Sequence, residues 1–204
     1  MKTEIISTHQ FESIQRAVKV LENGGLVALP TDTVYGLGAL AFNNTAIENI
    51  YIAKDRPIEK AIPILIARLD DLEKIVDSIP EMARIFASCF WPGPLTCILP
   101  KKQTLPPAVS ATNTVAVRIP DHPDALRLLD AAGPMAVTSA NISGQPSPST
   151  AKEVYEQLNG RIPFILDGGK TPGGIPSTLV DCTGNEPVIL REGPISMDKL
   201  RAVL

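Results

Sequence analysis

At 204 residues, with 44% apolar and 20% charged residues, the chain has the size and composition of one soluble globular domain. Its 19 basic and 22 acidic residues give a net charge of −3, so bulk charge gives no reason to expect a general nucleic-acid or membrane binder, although a local basic patch stays open. Cys89, Cys97 and Cys182 are odd in number and far apart, which favours reduced thiols of a cytosolic protein over disulfides or a zinc site. The N-terminus is no signal peptide, and no apolar run approaches the roughly 18 residues of a membrane span.

Apolar periodicity and turn residues predict alternating helices and strands along the chain. The predicted helices are 9–22, 46–54, 69–79, 80–90, 122–133, 151–160 and 196–204. The predicted strands are 26–30, 62–66, 95–99, 114–119, 134–140, 164–167, 177–181 and 187–191. Because several consecutive strands have no helix between them, the pattern predicts a single α/β domain, residues 1–204, around an open, twisted, mixed sheet.

Local signals refine some of these elements. The apolar face of the first helix is predicted to comprise Phe11, Ile14, Val18 and Leu21. Capping boxes are predicted before two later helices, formed by Thr45 with Glu48 and by Thr150 with Glu153.

Two glycine-rich stretches are candidates for phosphate loops, and neither fits. In DGGKTPGG (167–174), Phe164 stands where a Walker A loop needs its first glycine, and Pro172 would disrupt the helix that must follow. The stretch LPTDTVYGLGALA (29–41) lacks a GxGxxG pattern in the register of a dinucleotide site. The chain therefore predicts no nucleotide loop of these types.

Small polar and basic residues at the ends of predicted elements remain as candidates. Thr31 and Thr33 follow a predicted strand, where ligands often bind, although turn residues would look the same. Lys54 and Arg56 end a helix, either as a solvated helix end or as two phosphate ligands.

Arg118 lies in an otherwise apolar strand and therefore needs an acceptor, either a structural carboxylate or an anionic ligand. Ser139, Asn141 and Ser143 follow another apolar strand, where they form either a cradle for phosphate or adenosine or an Asx-rich turn. His9 and His122, the two histidines, have no neighbouring nucleophile pattern, and no carboxylate cluster has the spacing of a metal cage. Any chemistry is expected to rest on positioning and positive charge.

Seven stretches together resemble the YrdC-like threonylcarbamoyl-AMP synthase family in order and spacing, over about residues 16 to 195. They are LPTDTVYGLG, AKDRP, FWPGPLT, VAVRIPDHP, TSANISGQPSP, GGIPSTLVD and ILREG. The resemblance implies a large concave cavity on the sheet and a nucleotidyltransferase that joins L-threonine, bicarbonate or CO2, and ATP into threonylcarbamoyl-adenylate, releasing pyrophosphate. It also implies Mg²⁺ bound with ATP, cytoplasmic location, RNA binding, and downstream transfer of the threonylcarbamoyl group to tRNA by a partner enzyme. No metal site formed by side chains is expected, and no membrane partner.

The matched positions imply catalytic, phosphate-binding roles for Lys54 and Arg56. The implied ATP contacts are Arg56, Lys60, Thr114, Ser139, Asn141, Ser147 and Arg191. The implied L-threonine contacts are Thr31, Thr33, Leu65, Arg118, Val137 and Ser177, with Arg118 pairing with the substrate carboxylate.

Two departures from the family pattern concern the threonine pocket and the chain length. Leu65 stands where many relatives have a histidine, and the Pro-Leu pair that follows the K-x-R motif in relatives is missing. The chain is expected to lack the C-terminal domain of longer relatives. Three alternatives stay open: an RNA-docking module that uses the cavity without chemistry, a carbamoyl-adenylate domain like that of hydrogenase maturation proteins, and a paralogue with another substrate. No general base is predicted.

Overall fold

The computed structural model describes residues 2–172 and 174–204. Met1 and Gly173, the first glycine of the GGIPSTLVD stretch, lie outside the described residues. The strands are β1 Glu4–Ser7, β2 Val27–Leu29, β3 Gly36–Leu40, β4 Ile64–Leu65, β5 Leu95–Pro100, β6 Thr114–Arg118, β7 Met135–Ser139, β8 Phe164–Asp167, β9 Thr178–Asp181 and β10 Val188–Arg191. The helices are α1 Ser13–Glu22, α2 Asn44–Lys54, α3 Leu72–Ile75, α4 Glu81–Phe90, α5 Pro123–Ala132, α6 Ala151–Leu158 and α7 Met197–Arg201, with a 3-10 turn at Leu69–Asp71.

The strands form one sheet in the order β1-β8-β2-β3-β7-β4-β6-β5-β9-β10. The pairs β1/β8, β2/β8, β4/β6 and β5/β9 are parallel, and the other neighbours are antiparallel. The predicted open, mixed α/β sheet is confirmed. No helix in the described part of the chain has the length and apolar character needed to cross a membrane.

Two apolar clusters cover the two faces of this sheet. One contains Leu21 of α1 and Leu128 of α5, and the other contains Ile50 of α2, Phe86 of α4 and Val154 of α6. Successive strand residues point to opposite faces, so β2, β4, β7 and β8 contribute side chains to both clusters. On one face of the sheet, helices α1 and α5 cover the half formed by β1, β8, β2 and β3. The other half of the same face, around β4, β6, β5 and β9, is left as a concave surface.

The two glycines of the YGLG stretch lie within β3, not in a loop. This strand pairs with β7, with Gly36 opposite Ser139 and Gly38 opposite Val137. A Cβ atom at Gly36 would lie 2.5 Å from Cγ1 of Val137, and one at Gly38 would lie 2.7 Å from Cε of Met135. Both glycines are therefore needed so that the side chains of β7 can pack across the strand.

Three predicted helices are at least four residues shorter than the sequence pattern suggests, and one of them, predicted over 196–204, spans Met197–Arg201. Helix α1 begins at Ser13, so Phe11 precedes it and is 92% exposed, and its assignment to the apolar face was wrong. The predicted helix 69–79 ends at Ile75, because Val76 turns to extended backbone and forms a bridge with Lys101.

The predicted capping box of Thr45 and Glu48 is wrong, whereas the one before α6 is partly confirmed. Helix α2 begins two residues earlier than predicted, at Asn44, and the Asn43 side chain accepts a hydrogen bond from the amide of Ala46 at 3.0 Å. At α6, Thr150 accepts from the amide of Glu153 as predicted, but the Glu153 carboxylate reaches the amide of Ser149 at 2.6 Å, one residue before the cap. Asn and Asp are stronger caps than Thr, which explains the earlier start of α2.

Replacing Asn43 with alanine is expected to lower the free energy of unfolding by about 1 kcal/mol, because the amide of Ala46 loses its acceptor. Thr45→Ala, at the second position of the same helix, is the matched control and is expected to change the free energy of unfolding by less than half as much. Urea unfolding of both variants measures the difference. Equal losses would show that the cap assignment is wrong.

Candidate active site

A concave cavity of about 480 Å³ lies on the open half of the sheet. This volume falls within the range of roughly 300–1,000 Å³ that is typical of small-molecule sites. Alternate residues of the strands point into it, because side chains on one face of a strand recur at every second position. These residues include Thr96 and Ile98 of β5, Thr114, Ala116 and Arg118 of β6, and Leu179 of β9.

The strand register arranges these side chains in rows across the cavity floor. Leu65 lies beside Arg118, and Thr96 lies beside Leu179, which in turn pairs with Arg191. Two residues further along β6, Ala116 lies opposite Ile98. One row of the floor therefore carries Arg118, Thr96 and Arg191, with leucines between and beside them. The next row, with Ala116 and Ile98, is apolar.

Arg118 is 5% exposed, and three groups around it hold its guanidinium. Its Nε donates to the carbonyl of Gly93 at 2.8 Å, its Nη1 donates to the hydroxyl of Thr33 at 3.1 Å, and its Nη2 contacts the carboxylate of Asp32. Burial lowers the pKa of Arg118, and Asp32 acts in the opposite direction. A structural carboxylate thus supplies the acceptor that the sequence required, and two of the five guanidinium N–H groups have no partner among the described residues.

Thr31 and Thr33 both line the cavity, but their hydroxyls have different partners. The Thr31 hydroxyl donates to the carbonyl of Val34 at 2.6 Å and accepts from the amides of Thr33 and Val34, so it builds the turn after β2. The Thr33 hydroxyl lies 3.0 Å from that of Thr31 and accepts from Arg118. Thr31 is therefore mainly a turn residue, whereas Thr33 is attached to the arginine.

Arg191 holds the opposite wall of the cavity. Its Nε and Nη2 donate to the carbonyl of Ser177 at 3.1 and 2.9 Å, and Nη2 also reaches the Ser177 hydroxyl at 3.2 Å. That hydroxyl lies 2.7 Å from the hydroxyl of Thr96. These contacts join β10, β5 and the segment before β9 around one side of the cavity.

Arg56 follows α2 and supplies a third guanidinium to the lining. Its Nε donates to the carbonyl of Lys60 at 3.2 Å and its Nη2 to that of Ala61 at 3.0 Å. Burial lowers the pKa of Arg191 most, and the positive charges of Arg118 and Arg56 lower it further. Glu59 also lines the cavity, so the three guanidiniums outnumber the lining carboxylate and favour an anionic ligand.

Most residues that the sequence predicted for the site come together in this cavity. Those that line it are Thr31, Thr33, Arg56, Leu65, Thr114, Arg118, Val137, Ser139, Ser177 and Arg191. Four predicted residues lie outside the lining: Lys54, Lys60, Asn141 and Ser147. Lys60 is exposed, Ser147 is half-buried, and their proposed ATP contacts stay predictions.

Lys54 and Asn141 lie buried behind the cavity wall. The Nζ of Lys54 donates to the carbonyls of Ser139 and Asn141, and burial, followed by the charge of Arg56, lowers the pKa of the amine to about 7. The Asn141 amide donates to the carbonyls of Ile142 and Gln145 at 2.8 Å each. Lys54 and Asn141 do not line the cavity, and their predicted contacts with ATP stay predictions.

Sequence reasoning missed several lining or supporting residues. No role was predicted for Asp32, which lies in the stretch LPTDTVYGLGALA, because no sequence pattern indicates that Arg118 lies next to it. Thr112 connects two other hydroxyls, Ser110 at 3.0 Å and Thr114 at 2.9 Å, along the rim of the cavity. The polar Thr96 within the otherwise apolar LTCIL was a signal that the face of β5 with Thr96 and Ile98 differs from the core face.

The donor set of the cavity does not fit a metal site formed by side chains. Its polar groups are mainly hydroxyls and guanidiniums, and Glu59 is the carboxylate of the lining. Across residues 2–172 and 174–204, no three His, Cys, Asp or Glu side chains are grouped to hold an ion. We therefore derive no chemical step through a metal held by the protein.

Comparison with known proteins identifies the family and agrees with the fold. The model of the Sua5–YciO–YrdC family, described as "telomere recombination", matches residues 19–193. The chain belongs to this family. A solved structure of a Sua5–YciO–YrdC protein, Pyrococcus abyssi Sua5 complexed with L-threonine, has a TM-score of 0.95 and 43% identity, covering 99% of this chain and 61% of that one. Escherichia coli YciO has a TM-score of 0.87 and 26% identity, covering 97% of this chain and 99% of its own.

Family members with assigned names include two threonylcarbamoyl-AMP synthases. The one from Pyrococcus abyssi is 44% identical over 94% of this chain and 57% of its own length, and the one from Bacillus subtilis is 45% identical over 99% and 59%. The chain thus spans less than two thirds of either relative. A putative threonylcarbamoyl-AMP synthase of Methanocaldococcus jannaschii is 35% identical and is covered over 98% of its length. The family resemblance predicted from the sequence motifs is confirmed.

Proposed function

We propose that this chain is an L-threonylcarbamoyladenylate synthase, which forms threonylcarbamoyl-AMP and pyrophosphate from L-threonine, bicarbonate or CO2, and ATP. One observation carries the proposal: three guanidiniums, Arg56, Arg118 and Arg191, surround a single cavity whose other lining residues, apart from Glu59, carry mainly hydroxyls and apolar side chains. An amino acid carboxylate and a triphosphate both need such positive charge. The names of the curated relatives agree with this assignment.

The amino acid is proposed to bind at the Arg118 end. The two N–H groups of Arg118 without a partner match the two oxygens of one substrate carboxylate. Val137 and Leu65 lie on the same part of the lining and offer an apolar surface to the methyl group of threonine. A pocket of this kind discriminates a missing methyl group by about 10- to 200-fold, which predicts that L-serine is a poorer substrate.

The triphosphate is proposed to bind toward Arg56, Ser139 and Arg191. The neutral amine of threonine attacks CO2 to form a carbamate and releases one proton to water, or it attacks bicarbonate to form the carbamate with loss of water. A carbamate oxygen then bonds to the α-phosphorus of ATP, the bond to the β-phosphate oxygen breaks, and pyrophosphate leaves. Arg56 and Arg191 stabilise the negative charge that grows on the phosphates, which is the largest contribution in transfers of this type. Magnesium enters as part of the substrate MgATP and is bound through the phosphates.

The product, an activated acyl adenylate, is proposed to serve a downstream transferase that modifies tRNA in the cytoplasm. An RNA-docking role without chemistry is the alternative. A sequence-independent phosphate binder would be expected to carry basic residues over a continuous exposed stripe. Here the arginines are directed into one concave cavity, which favours a small anionic substrate.

Pyrophosphate release tests the proposal. MgATP is incubated with L-threonine and bicarbonate, separately and together, and in parallel with L-serine. Release that requires both co-substrates, at least about tenfold faster with L-threonine than with L-serine, is the expected result. ATP binding without release under any combination would support the docking module or a different substrate.

Valine substitutions of Thr31 and Thr33, which lie beside Arg118, are expected to affect stability and L-threonine binding in opposite order. Thr31→Val should lower the free energy of unfolding more than Thr33→Val, by about 1–3 kcal/mol, because two buried amides lose their acceptor. Thr33→Val should raise the KM for L-threonine more, by about tenfold, because Arg118 loses a group that orients it. Thermal unfolding and titration of L-threonine at saturating ATP measure the two orders. The same rank order in both assays would contradict the division of roles.

A further inference from the structure

Lys54, the last residue of α2, is attached to the turn that follows β7 through both its side chain and its main chain. Its ammonium group donates to the carbonyls of Ser139 and Asn141, and its own carbonyl accepts from the amide of Ser143 at 2.8 Å. The side chain is 1% exposed and does not line the cavity, whereas Ser139 does. A phosphate entering the cavity therefore meets the wall formed by Ser139 before it can reach Lys54.

The number of donors and acceptors at Nζ depends on its protonation state. A neutral amine has two N–H groups, which match the two carbonyls, and a charged ammonium has a third. The Oδ1 atom of Asn141 is a buried acceptor on the same turn and has no partner among the described residues. The amide nitrogen of Asn141 is held by two carbonyls, which fixes Oδ1 as the free end of the side chain.

The charged surroundings of Lys54 favour the neutral amine while the cavity holds no anion. Arg56, two residues further on, is the charged group that acts on it, and its effect has the same sign as burial. Asp55 adopts a left-handed conformation with φ of 51° and pairs with Arg161 at 2.8 Å, so its carboxylate is engaged elsewhere. The turn 139–145 that faces Nζ contains no titratable side chain. Desolvation and a like charge together lower the pKa of this amine to about 7.

We propose that Lys54 is a positioning residue that holds the Ser139–Asn141 turn of the cavity wall and takes up a proton when the phosphates of ATP bind. Negative charge next to Arg56 and Ser139 offsets the repulsion from Arg56 and favours the ammonium form. The third N–H of the ammonium then needs an acceptor, and the buried, unpartnered Oδ1 of Asn141 on the same turn is the candidate. This inference rests on the proposed binding of ATP in the cavity.

Calorimetric titration of the full chain with MgATP, without threonine, tests the proposal. The observed binding enthalpy is measured at one pH in buffers with different ionisation enthalpies, and the slope gives the number of protons taken up. About half a proton per ATP is expected at pH 7, because a group with a pKa of about 7 is half neutral there, and close to one proton is expected at pH 8. ATP affinity should correspondingly fall as the pH rises from 7 to 8.

Three variants separate the positioning role from other causes. Lys54→Arg retains donors for the carbonyls but stays charged, so it should bind ATP without proton uptake. Lys54→Met has no donor, so it should bind ATP at least about tenfold more weakly and also without uptake. Lys74→Met, which removes an exposed lysine paired with Asp71 outside the cavity, is the control and should match the wild type. Thermal unfolding checks that each variant is folded.

The outcomes distinguish this inference from the proposed function. Proton uptake that persists in both Lys54→Met and Lys54→Arg would overturn it, as would an ATP complex in which Nζ leaves the two carbonyls and contacts a phosphate oxygen. ATP binding by the wild type with no proton uptake at pH 7 or 8 would overturn this inference and leave the synthase proposal standing. Failure of the wild type to bind ATP would overturn both.

Discussion

Arg56→Ala is expected to reduce threonine-dependent pyrophosphate release by at least about a hundredfold, because the guanidinium that is proposed to face the phosphates is lost. Arginine groups that stabilise phosphoryl transfer contribute about 10³–10⁵ in rate when they act on the transition state. The fold should be retained. Arg56 donates only to the carbonyls of Lys60 and Ala61, and both residues are exposed, so water can replace the guanidinium there. Steady-state kinetics and thermal unfolding measure the two effects.

Arg161→Ala is the matched control for this prediction. Arg161 pairs with Asp55 at the same end of α2, at 2.8 Å, but lies outside the cavity lining. It is 43% exposed, and surface pairs of this kind contribute little to stability, so turnover should change less than twofold. Normal turnover by folded Arg56→Ala would contradict the phosphate role, and an equal loss in both variants would trace the defect to the end of α2.

Arg118→Met is expected to abolish the response to L-threonine and also to destabilise the protein. Its side chain and that of Asp32 are 6% and 10% exposed, so removal of the arginine leaves a buried carboxylate without its partner. Breaking a buried pair in this way costs about 3–5 kcal/mol. The KM for L-threonine should rise beyond measurement, because the proposed carboxylate ligand is absent. Urea unfolding and the pyrophosphate assay measure the two effects.

A double variant separates stability from binding at this position. Arg118→Met with Asp32→Asn leaves no buried charge, so it should recover a large part of the lost free energy of unfolding. Its activity with L-threonine should not recover. Recovery of activity together with stability would mean that Arg118 acts through the fold and does not bind the substrate.

Much of the architecture could be predicted from local sequence patterns. The short apolar run FILD identified β8 with the bounds that the structure shows, and Thr150 was correctly identified as the cap of α6, because each signal lies within a few residues. Errors arose where local signals compete. Asn43 and Thr45 are both capping residues, and the choice between them depends on where α2 meets β3. The helix predicted for 69–79 ended early because Val76 pairs with Lys101 across the sheet edge.

The candidate site illustrates the same limit. The sequence by itself determined the family, the mixed α/β sheet and the need of Arg118 for an acceptor. Through the family resemblance it also supplied fourteen candidate site residues, of which ten line the cavity. Only the tertiary structure decided that Asp32 is that acceptor and that Lys54 lies behind Ser139. Arg118 and Thr33 are 85 positions apart, as are Lys54 and Ser139. Contacts over such separations depend on how β6, β7 and α2 meet on the sheet, and no local pattern specifies which donor then faces which acceptor.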